Sequence, residues 1–397
     1  MINNINQKIE DHLSAQILDI RITKNARFID QKCTPDILSS VAEAIIEYLE
    51  QSDSDEFTIK DIWMSDFSIE IMTNKFQKPS PTEKVVENEY DKVFSQPIKL
   101  LEYAGIIVNT GKIKNAKCYK VTKDDILSYL SISDDKALKF IIKYLERVLS
   151  ASGLMKVFDD FFESQTKQSF DTLKDCYIKF ITDNTPINGE VETSRIFTKV
   201  LNPLAFSRKK KGTIRGNISA LNLPYSELFY NRVNFRDVEK PKDKSRSEYI
   251  DSLGVETTSE IYQVEKAKRQ IKKYHGENSE VNRYLHENAT HVHHIFMKSE
   301  YPELSDTLEN LVLLTPSQHL NYAHISGNTR VVSKPYQLVC LLSKLESIEK
   351  SDLYENDDFY SKLDFIEVVN TGLGKDLLNH SMSYPDMKNK LAMEYVS

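Results

Sequence analysis

The stretch THVHHIFMKSEYPELSDTLENLVLLTPSQHLNYAH, from Thr290 to His324, contains five of the nine histidines of the chain. β-Branched and apolar residues at 291–296 predict one strand, and the run NLVLL at 310–314 predicts a second. A polar loop separates the two runs. The stretch therefore predicts two short strands that bring most of the histidines of the chain into one small region.

A helix is predicted directly after the second strand. Thr315 can serve as its N-cap, Pro316 suits the first helical position, and Gln318 completes a capping box. His319 then lies in the first helical turn, facing back toward the strands. The expected local structure is a β-hairpin followed by a helix.

Four polar residues follow a set order along this hairpin and helix: His293, His294, Asn310 and His319. This order, with YPEL and ENL before the second strand, resembles the HNH family of ββα-metal nucleases, to which the nuclease colicins are similar. By this resemblance, His294 would be the general base, and His293 and His319 would bind one divalent metal ion. Asn310 would hold the hairpin so that His294 points correctly. The resemblance implies Mg²⁺, with Mn²⁺, Ni²⁺ or Zn²⁺ as alternatives.

The chemistry of phosphodiester hydrolysis suits these residue types independently. The reaction needs a base that accepts a proton from water near neutral pH, and the ordinary pKa of histidine lies in that range. A cation held by neutral imidazoles can stabilise the charge that develops on the phosphate and on the leaving 3′ oxygen. Since adjacent strand residues point to opposite faces, a bulge or twist is expected at His293 and His294.

The sequence departs from the family pattern in one place. Many HNH proteins carry a further helix histidine four residues after the first, but position 323 is alanine and the next histidine is His324. In a regular α-helix, a residue five positions on lies off the face of His319. His324 is a candidate third metal ligand if the helix is overwound or ends there, and His291 is an alternative from the strand.

Simpler interpretations of the same residues stay open at this point. A pair of histidines is often a surface strand or an adventitious metal site, and ENLVLL alone is a buried strand. Asn310 would then be a turn residue. The conjunction of the strand histidines, the asparagine and the capped helix favours the nuclease interpretation.

Length and composition predict an α+β fold that is mostly helical. The 397 residues are enough for two or three domains, and 40% of them are hydrophobic. The four cysteines form no C-x-x-C pair, so no zinc ribbon is expected. No apolar run is long enough for a membrane span and the amino terminus has no signal-peptide pattern, so a cytoplasmic, prokaryotic protein is expected.

Residues 34–131 are predicted to form a winged helix. Helices are expected at 37–49, 57–63 and 87–103, although Pro97 should interrupt the third. Strands at 105–108 and 117–121 would then flank a basic wing. In helix-turn-helix proteins the last helix enters the major groove, and the following loop contacts phosphate. The expected DNA contacts are Lys92, Gln96, Lys99 and Lys112. A winged helix that binds protein is the alternative.

Further DNA contacts are predicted in the middle of the chain, although the net charge of −7 argues against a uniformly basic surface. Residues 193–237 mix Arg, Lys, Asn and aromatic side chains with two glycines, which is the mixture that phosphate and base contacts use. The residues expected to contact DNA are Arg208, Lys209, Lys210, Lys211, Arg215, Asn231, Arg232, Asn234 and Arg236. The alternatives are a solvated loop for the lysine run and a turn with a surface strand for 231–236.

These patterns predict four regions. They are a winged-helix-like recognition domain with a helical extension (1–165), a helical and basic DNA-contacting region (166–280), the HNH motif (281–330) and a helical region for support or dimerisation (331–397). The expected function is a type II restriction-like endonuclease that cuts double-stranded DNA and leaves 5′-phosphate and 3′-hydroxyl ends. A homodimer is expected, because one HNH site cuts one strand. The alternatives are a non-specific or modification-dependent nuclease, and a winged-helix regulator with an inactive HNH fold.

Overall fold

A computed structural model describes residues 5–76, 78, 80–82, 84, 87–187, 189–230, 258–281, 287–323, 332–353 and 359–396. The chain separates into two compact units, one formed by Ile5–Ser259 and the other by Glu260–Ser397. The described residues are mostly helical with three small sheets, so the predicted α+β class is confirmed at this level. The finer division into four regions stays a prediction.

The described residues of the first unit form helices and five strands. Its helices are α1 (Ile5–Ala15), α2 (Ile20–Thr23), α3 (Pro35–Gln51), α4 (Ile59–Trp63), α5 (Asp66–Asn74), α6 (Glu87–Tyr103), α7 (Asp124–Ile132), α8 (Asp134–Ala151), α9 (Met155–Ser164), α10 (Lys167–Asn184) and α11 (Glu190–Ser207). Its strands are β1 (Glu56–Thr58), β2 (Ile107–Ile113), β3 (Ala116–Val121), β4 (Thr213–Ile214) and β5 (Asn217–Ile218). Helix α3 packs against α7 and α8 and is the centre of this core.

An antiparallel sheet in the order β1-β3-β2 lies beside α4 and α6. The predicted helix at 57–63 is wrong at its start, because Glu56–Thr58 pairs with β3 as a strand. The helix begins at Ile59 instead, where the Thr58 side chain and Asp61 form a capping box. The sequence shows the cap, but the strand depends on pairing with a segment sixty residues away.

The helix predicted at 87–103 is confirmed as α6. It continues through Pro97, so the expected interruption is wrong. Proline removes one backbone donor within a helix and crowds the preceding turn. Here Pro97 is buried with Val93 and Ile98 on the core face of α6, and this packing offsets the lost bond.

The second unit carries the hairpin, and α12 (Thr258–His275) leads into it. Its other described elements include β6 (His291–His294), β7 (Leu311–Leu314), α13 (Pro316–Gln318), a π-helix at His319–Ala323, α14 (Lys334–Ser351), α15 (Lys362–Leu373) and α16 (Tyr384–Val396). Gly276 follows α12 with a φ of 61°, a left-handed conformation that ends a helix. In the part of the chain that the structure describes, no helix is long and apolar enough to span a membrane.

Candidate functional site

The two strands of the second unit pair as the sequence predicts. His291, Val292, His293 and His294 lie opposite Leu314, Leu313, Val312 and Leu311 in an unbroken antiparallel register. Of the bulge or twist expected at the histidine pair, the bulge is therefore wrong. Regular pairing is sufficient to separate the side chains of His293 and His294, because a strand places adjacent side chains on opposite faces and β6 ends at His294.

Three imidazoles gather on one face of the hairpin. The ring of His293, which is only 4% exposed, has its centroid 5.3 Å from that of His319. The ring of His291, two residues earlier on the same strand, lies 5.2 Å from His319. These three side chains come from a strand and a helix start that the sequence predicts, so the proximity of His293 and His319 follows from correctly predicted local structure.

His294 lies apart from this cluster and bonds to the loop between the strands. Its Nε2 is 2.9 Å from the carbonyl oxygen of Ser305. A carbonyl oxygen only accepts hydrogen bonds, so Nε2 carries a proton, and in the neutral ring the lone pair is then on Nδ1.

Asn310 joins the two ends of the same loop. Its Oδ1 accepts a hydrogen bond from Phe296 N at 2.9 Å, while Nδ2 donates to the carbonyls of Phe296 and Leu304, both at 3.0 Å. The side chain is fully buried. Both of its N–H groups are thus committed to loop carbonyls, which is the arrangement of a residue that holds backbone in place.

The helix after β7 starts as predicted and then changes its winding. Thr315 Oγ accepts from Gln318 N at 3.2 Å, and Gln318 Oε1 accepts from Thr315 N at 3.0 Å, so the predicted capping box is confirmed. His319–Ala323 continues as a π-helix, which closes hydrogen bonds between residues five apart. The candidate ligand His324 lies outside the described residues.

A buried ion pair behind the hairpin escaped the sequence-based predictions. Glu280 Oε1 accepts from Leu313 N at 2.9 Å, and Glu280 N donates to Leu313 O at 3.0 Å, so this residue pairs with β7 on the edge away from β6. The ammonium of Lys344 lies 2.7 Å from the other carboxylate oxygen. A lysine in the mostly apolar run YQLVCLLSKL was the only sequence signal.

The electrostatics of this pair depend on burial and on two neighbours. Burial alone would raise the pKa of Glu280, but Lys344 and His275 outweigh it and hold the pKa below its ordinary value. Burial lowers the pKa of Lys344. Tyr360 completes the cluster, since its hydroxyl is 2.6 Å from both the Lys344 ammonium and His275 Nε2.

Helix α15 supports the outer side of the loop. A Cβ on Gly372 would lie 2.4 Å from ring carbons of Phe296, so only glycine permits this approach. Tyr301 Oη donates to Gly372 O at 2.9 Å. Glu309, which is buried within the ENL run, accepts from Ser361 N at 2.8 Å. The loop is thus fixed from the carboxy-terminal helices as well as by Asn310.

The predicted DNA contacts on α6 and on β2 lie on two kinds of surface. The predicted end of the first wing strand at 108 is wrong, because β2 extends to Ile113 and Lys112 pairs with Lys117 of β3. Lys92, Lys99 and Lys112 are exposed. Gln96 is half-buried, and its Oε1 accepts from Lys32 N at 2.8 Å. Three of the four side chains are therefore accessible to a ligand, whereas Gln96 already has a structural partner.

The side chains of the basic run after α11 differ in exposure and in ion pairing. Arg208 forms ion pairs with Glu146 at 3.2 Å and Asp159 at 3.4 Å, and its guanidinium lies 4.6 Å from the Phe162 ring centroid. Lys209 is exposed. Arg208 therefore holds α8 and α9 to the end of α11, because its charge is already matched within the unit.

The other predicted basic residues follow in a short turn. Arg215 is exposed at the tip of the β4–β5 hairpin, and Lys210 and Lys211 are half-buried. Nearby Gly212 packs against Asn202, so it does not offer open backbone to a ligand. Four further predicted contacts lie outside the described residues: Asn231, Arg232, Asn234 and Arg236.

The donor set of the hairpin suits a metal ion in type, because His293 and His319 carry imidazole nitrogens, which zinc accepts as ligands. Their ring centroids lie 5.3 Å apart. Among the residues that the structure describes, no group of three or more His, Cys, Asp or Glu side chains already has the geometry of a metal site. In comparisons with models of protein families, with curated proteins and with solved structures, the chain matched none of them.

Proposed function

We propose that the chain is an HNH-type, metal-dependent endodeoxyribonuclease that cuts double-stranded DNA at specific sequences, as a type II restriction enzyme does. The observation that carries the proposal is the geometry of His294. Its Nε2 proton is fixed on the Ser305 carbonyl, so Nδ1 is the basic nitrogen. The loop that supplies this carbonyl is held in turn by Asn310.

The proposed reaction is hydrolysis of a phosphodiester. His294 Nδ1 takes a proton from water, and the water oxygen attacks phosphorus as the bond to the 3′ oxygen breaks. The products are a 5′-phosphate and a 3′-hydroxyl, whose oxygen gains a proton from solvent. A divalent cation bound by His293 and His319 would stabilise the negative charge on the phosphate and on the leaving oxygen. Asn310 acts at a distance from the substrate by positioning the loop.

DNA recognition is proposed for the first unit. A sheet in the order β1-β3-β2, with α6 directly before the β2–β3 hairpin, supports a winged-helix interpretation. Exposed Lys92 and Lys99 on α6, with Lys112 in the wing, are suited to phosphate contacts. A homodimer is proposed because two sites related by two-fold symmetry can cut both strands of a palindrome.

The test is incubation of the purified full-length chain with unmethylated phage and plasmid DNA. Reactions contain Mg²⁺, Mn²⁺, Ni²⁺ or Zn²⁺, or EDTA, and they compare wild type with His294→Ala. His380→Ala is the matched control, because His380 is an exposed histidine of the same unit. Discrete fragments that require metal, vanish in His294→Ala and persist in the control are expected.

Other outcomes separate the alternatives. A smear would indicate non-specific cleavage, and cutting of methylated DNA alone would indicate a modification-dependent nuclease. Failure to cut any DNA, modified or unmodified, would refute the catalytic proposal. If such an inactive protein bound DNA with normal helical content by circular dichroism, it would be a DNA-binding regulator.

A further inference from the structure

We infer that Gln337 of α14 is a positioning residue of the proposed nuclease, because it fixes the backbone directly after His294. The inference rests on the proposed function and adds to it a residue from outside the hairpin. It is carried by one hydrogen bond, in which Gln337 Nε2 donates to the carbonyl oxygen of Ile295 at 2.7 Å. Gln337 lies 42 residues further along the chain and is only 4% exposed.

The orientation of the Gln337 amide follows from its partners. A carbonyl oxygen only accepts hydrogen bonds, so the amide NH₂ group must face Ile295. The ammonium of Lys334 only donates, and it lies 3.2 Å from Gln337 Oε1. Tyr395 Oη of α16 donates to the same oxygen at 3.0 Å. These contacts agree on one orientation, in which the amide donates to the hairpin and accepts from the helices.

Ile295 has both of its backbone polar groups bonded. Its N–H donates to Asn310 O at 2.8 Å, and its carbonyl oxygen accepts from Gln337. Ile295 is fully buried, so water is not at hand to replace either partner. The N–H belongs to the peptide plane before Ile295 and the carbonyl to the plane after it. The two bonds therefore fix two successive peptide planes on the carboxyl side of His294.

This backbone carries one end of the hydrogen bond that orients the proposed base. His294 Nε2 donates to Ser305 O at 2.9 Å, and such a bond weakens steeply when its length or angle changes. Asn310 holds the loop that contains Ser305, through its bond to Leu304 O. Gln337 holds the strand end that carries His294. The two amides thus act on opposite ends of the same hydrogen bond.

The start of α14 is also bonded to the segment that carries His319. Ser333 N donates to Ala323 O, the last residue of the π-helix, at 2.9 Å. Ser333 O in turn accepts from Gln337 N at 2.7 Å. One turn of α14 is therefore tied both to the end of β6 and to the π-helix, so it fixes the spacing of the two elements that carry the proposed site.

Glutamine suits this position because its side chain donates and accepts at the same time. A glutamate has the same shape and keeps an acceptor for Tyr395, but its ionised carboxylate has no proton for the Ile295 carbonyl. A methionine of similar size has no N–H or O–H donor at all. Both substitutions leave the buried Ile295 carbonyl without its donor, which a backbone group tolerates poorly.

The test combines cleavage kinetics with a direct view of the His294 ring, in the full-length chain. With a DNA that wild type cuts, Gln337→Met and Gln337→Glu should lower kcat at least about tenfold, because a displaced base costs rate. KM should change less than about twofold, since DNA binding is proposed for the first unit. A positioning role predicts this split between kcat and KM.

Nuclear magnetic resonance of the ¹⁵N-histidine-labelled protein reports which ring nitrogen carries the proton, without DNA. The His294 signal is identified by its absence from His294→Ala. Wild type should show the proton on Nε2, because that nitrogen donates to Ser305 O. Both Gln337 variants should show a mixture of the two neutral forms, because the bond that selects one form is loosened.

Asn370→Leu is the matched control. The Asn370 amide forms two bonds to the backbone of Leu378, both of 2.9 Å, and neither involves the hairpin. Its loss should lower the melting temperature of the second unit, as the loss of the Gln337 amide does. The control should nevertheless keep the wild-type kcat and the wild-type His294 signal.

Each result has a defined meaning. If both Gln337 variants keep the wild-type kcat and His294 signal, the inference is overturned and the nuclease proposal stands. If Asn370→Leu lowers kcat and alters the His294 signal as much as Gln337→Met, the effect is one of general stability and the inference is overturned. If wild type cuts no DNA, the proposed function fails separately. An altered His294 signal in both Gln337 variants then still supports the link between Gln337 and His294, and an unaltered signal overturns it.

Discussion

Replacement of Asn310 by alanine should loosen the loop that positions His294. The Asn310 side chain is fully buried and forms three hydrogen bonds of 2.9–3.0 Å, all to backbone atoms of the loop. Alanine removes these partners while the backbone groups of Phe296 and Leu304 stay in place. The effect should therefore be concentrated between β6 and β7.

The magnitude follows from the number of groups that lose a partner. A buried donor or acceptor left without a hydrogen bond costs about 1–3 kcal/mol. One donor and two acceptors are affected, so even the lower limit gives about 3 kcal/mol for the three groups. For a unit the size of Glu260–Ser397, roughly 3–4 °C of melting temperature is lost per kcal/mol, which predicts a decrease of about 10 °C in the transition of the second unit.

Two measurements check this effect. Differential scanning calorimetry follows the unfolding transition, and hydrogen exchange with mass spectrometry reports protection of residues 295–310 against that of the first unit. Asn288→Ala is the matched control, because the Asn288 side chain is exposed and donates one described hydrogen bond, to Glu277. The control should change the melting temperature by no more than about 2 °C, as for most surface substitutions.

The functional consequence distinguishes a positioning residue from a metal ligand. Cleavage by Asn310→Ala should fall strongly, because Ser305 belongs to the loosened loop and its carbonyl fixes His294. Metal affinity should change little, since His293 and His319 lie on β6 and the helix. Wild-type loop protection in Asn310→Ala, or a loss of metal affinity as large as in His293→Ala, would refute this reasoning.

Two further substitutions test the supports of the hairpin. Gly372→Ala places a Cβ against the Phe296 ring and should destabilise the second unit by about 1–3 kcal/mol in thermal unfolding. Gly189→Ala is the control and should not destabilise the protein, because the added Cβ would have no atom within 4 Å. Lys344→Met leaves the buried Glu280 carboxylate without its cation and should cost about 3–5 kcal/mol, most of which Glu280→Gln should restore in the double variant. Because the folded-state pKa of Glu280 lies below its ordinary 4.5, its contribution to stability is present above pH 4.5 and lost as pH falls through the folded-state value. The stability advantage of wild type over Glu280→Gln should therefore vanish in acid unfolding series, and a pH-independent difference would count against the charge pair.

The local structure of the site could be predicted because its signals are local. The capping box of Thr315 and Gln318 spans four residues, and short runs of β-branched and apolar residues identify both strands. Once these elements were placed, the neighbourhood of His293 and His319 followed from their positions. The expected bulge was wrong because β6 ends at His294. The His294 ring can therefore point away from the His293 ring without an interruption of the strand pairing.

The supporting contacts could not be predicted because their partners are distant in sequence. Glu280 and Lys344 are separated by 64 residues, and the residue type of each alone predicts an exposed charged side chain. Arg208 illustrates the opposite error, since it belongs to a basic run but is matched by Glu146 and Asp159 within its own unit. Charge in a sequence shows what a side chain can bind, whereas its partner depends on the fold.

The proposed chemistry depends on a short motif whose geometry is set largely from outside it. The strand β7 is fixed on one edge by β6 and on the other by Glu280, and the ion pair with Lys344 ties that contact to α14. Helix α15 holds the loop through Gly372. A hairpin of two four-residue strands buries too little surface to be stable alone. The helices that follow the motif therefore help to orient His294. Substitutions in these helices should alter the proposed catalysis, although their side chains contact no reacting atom.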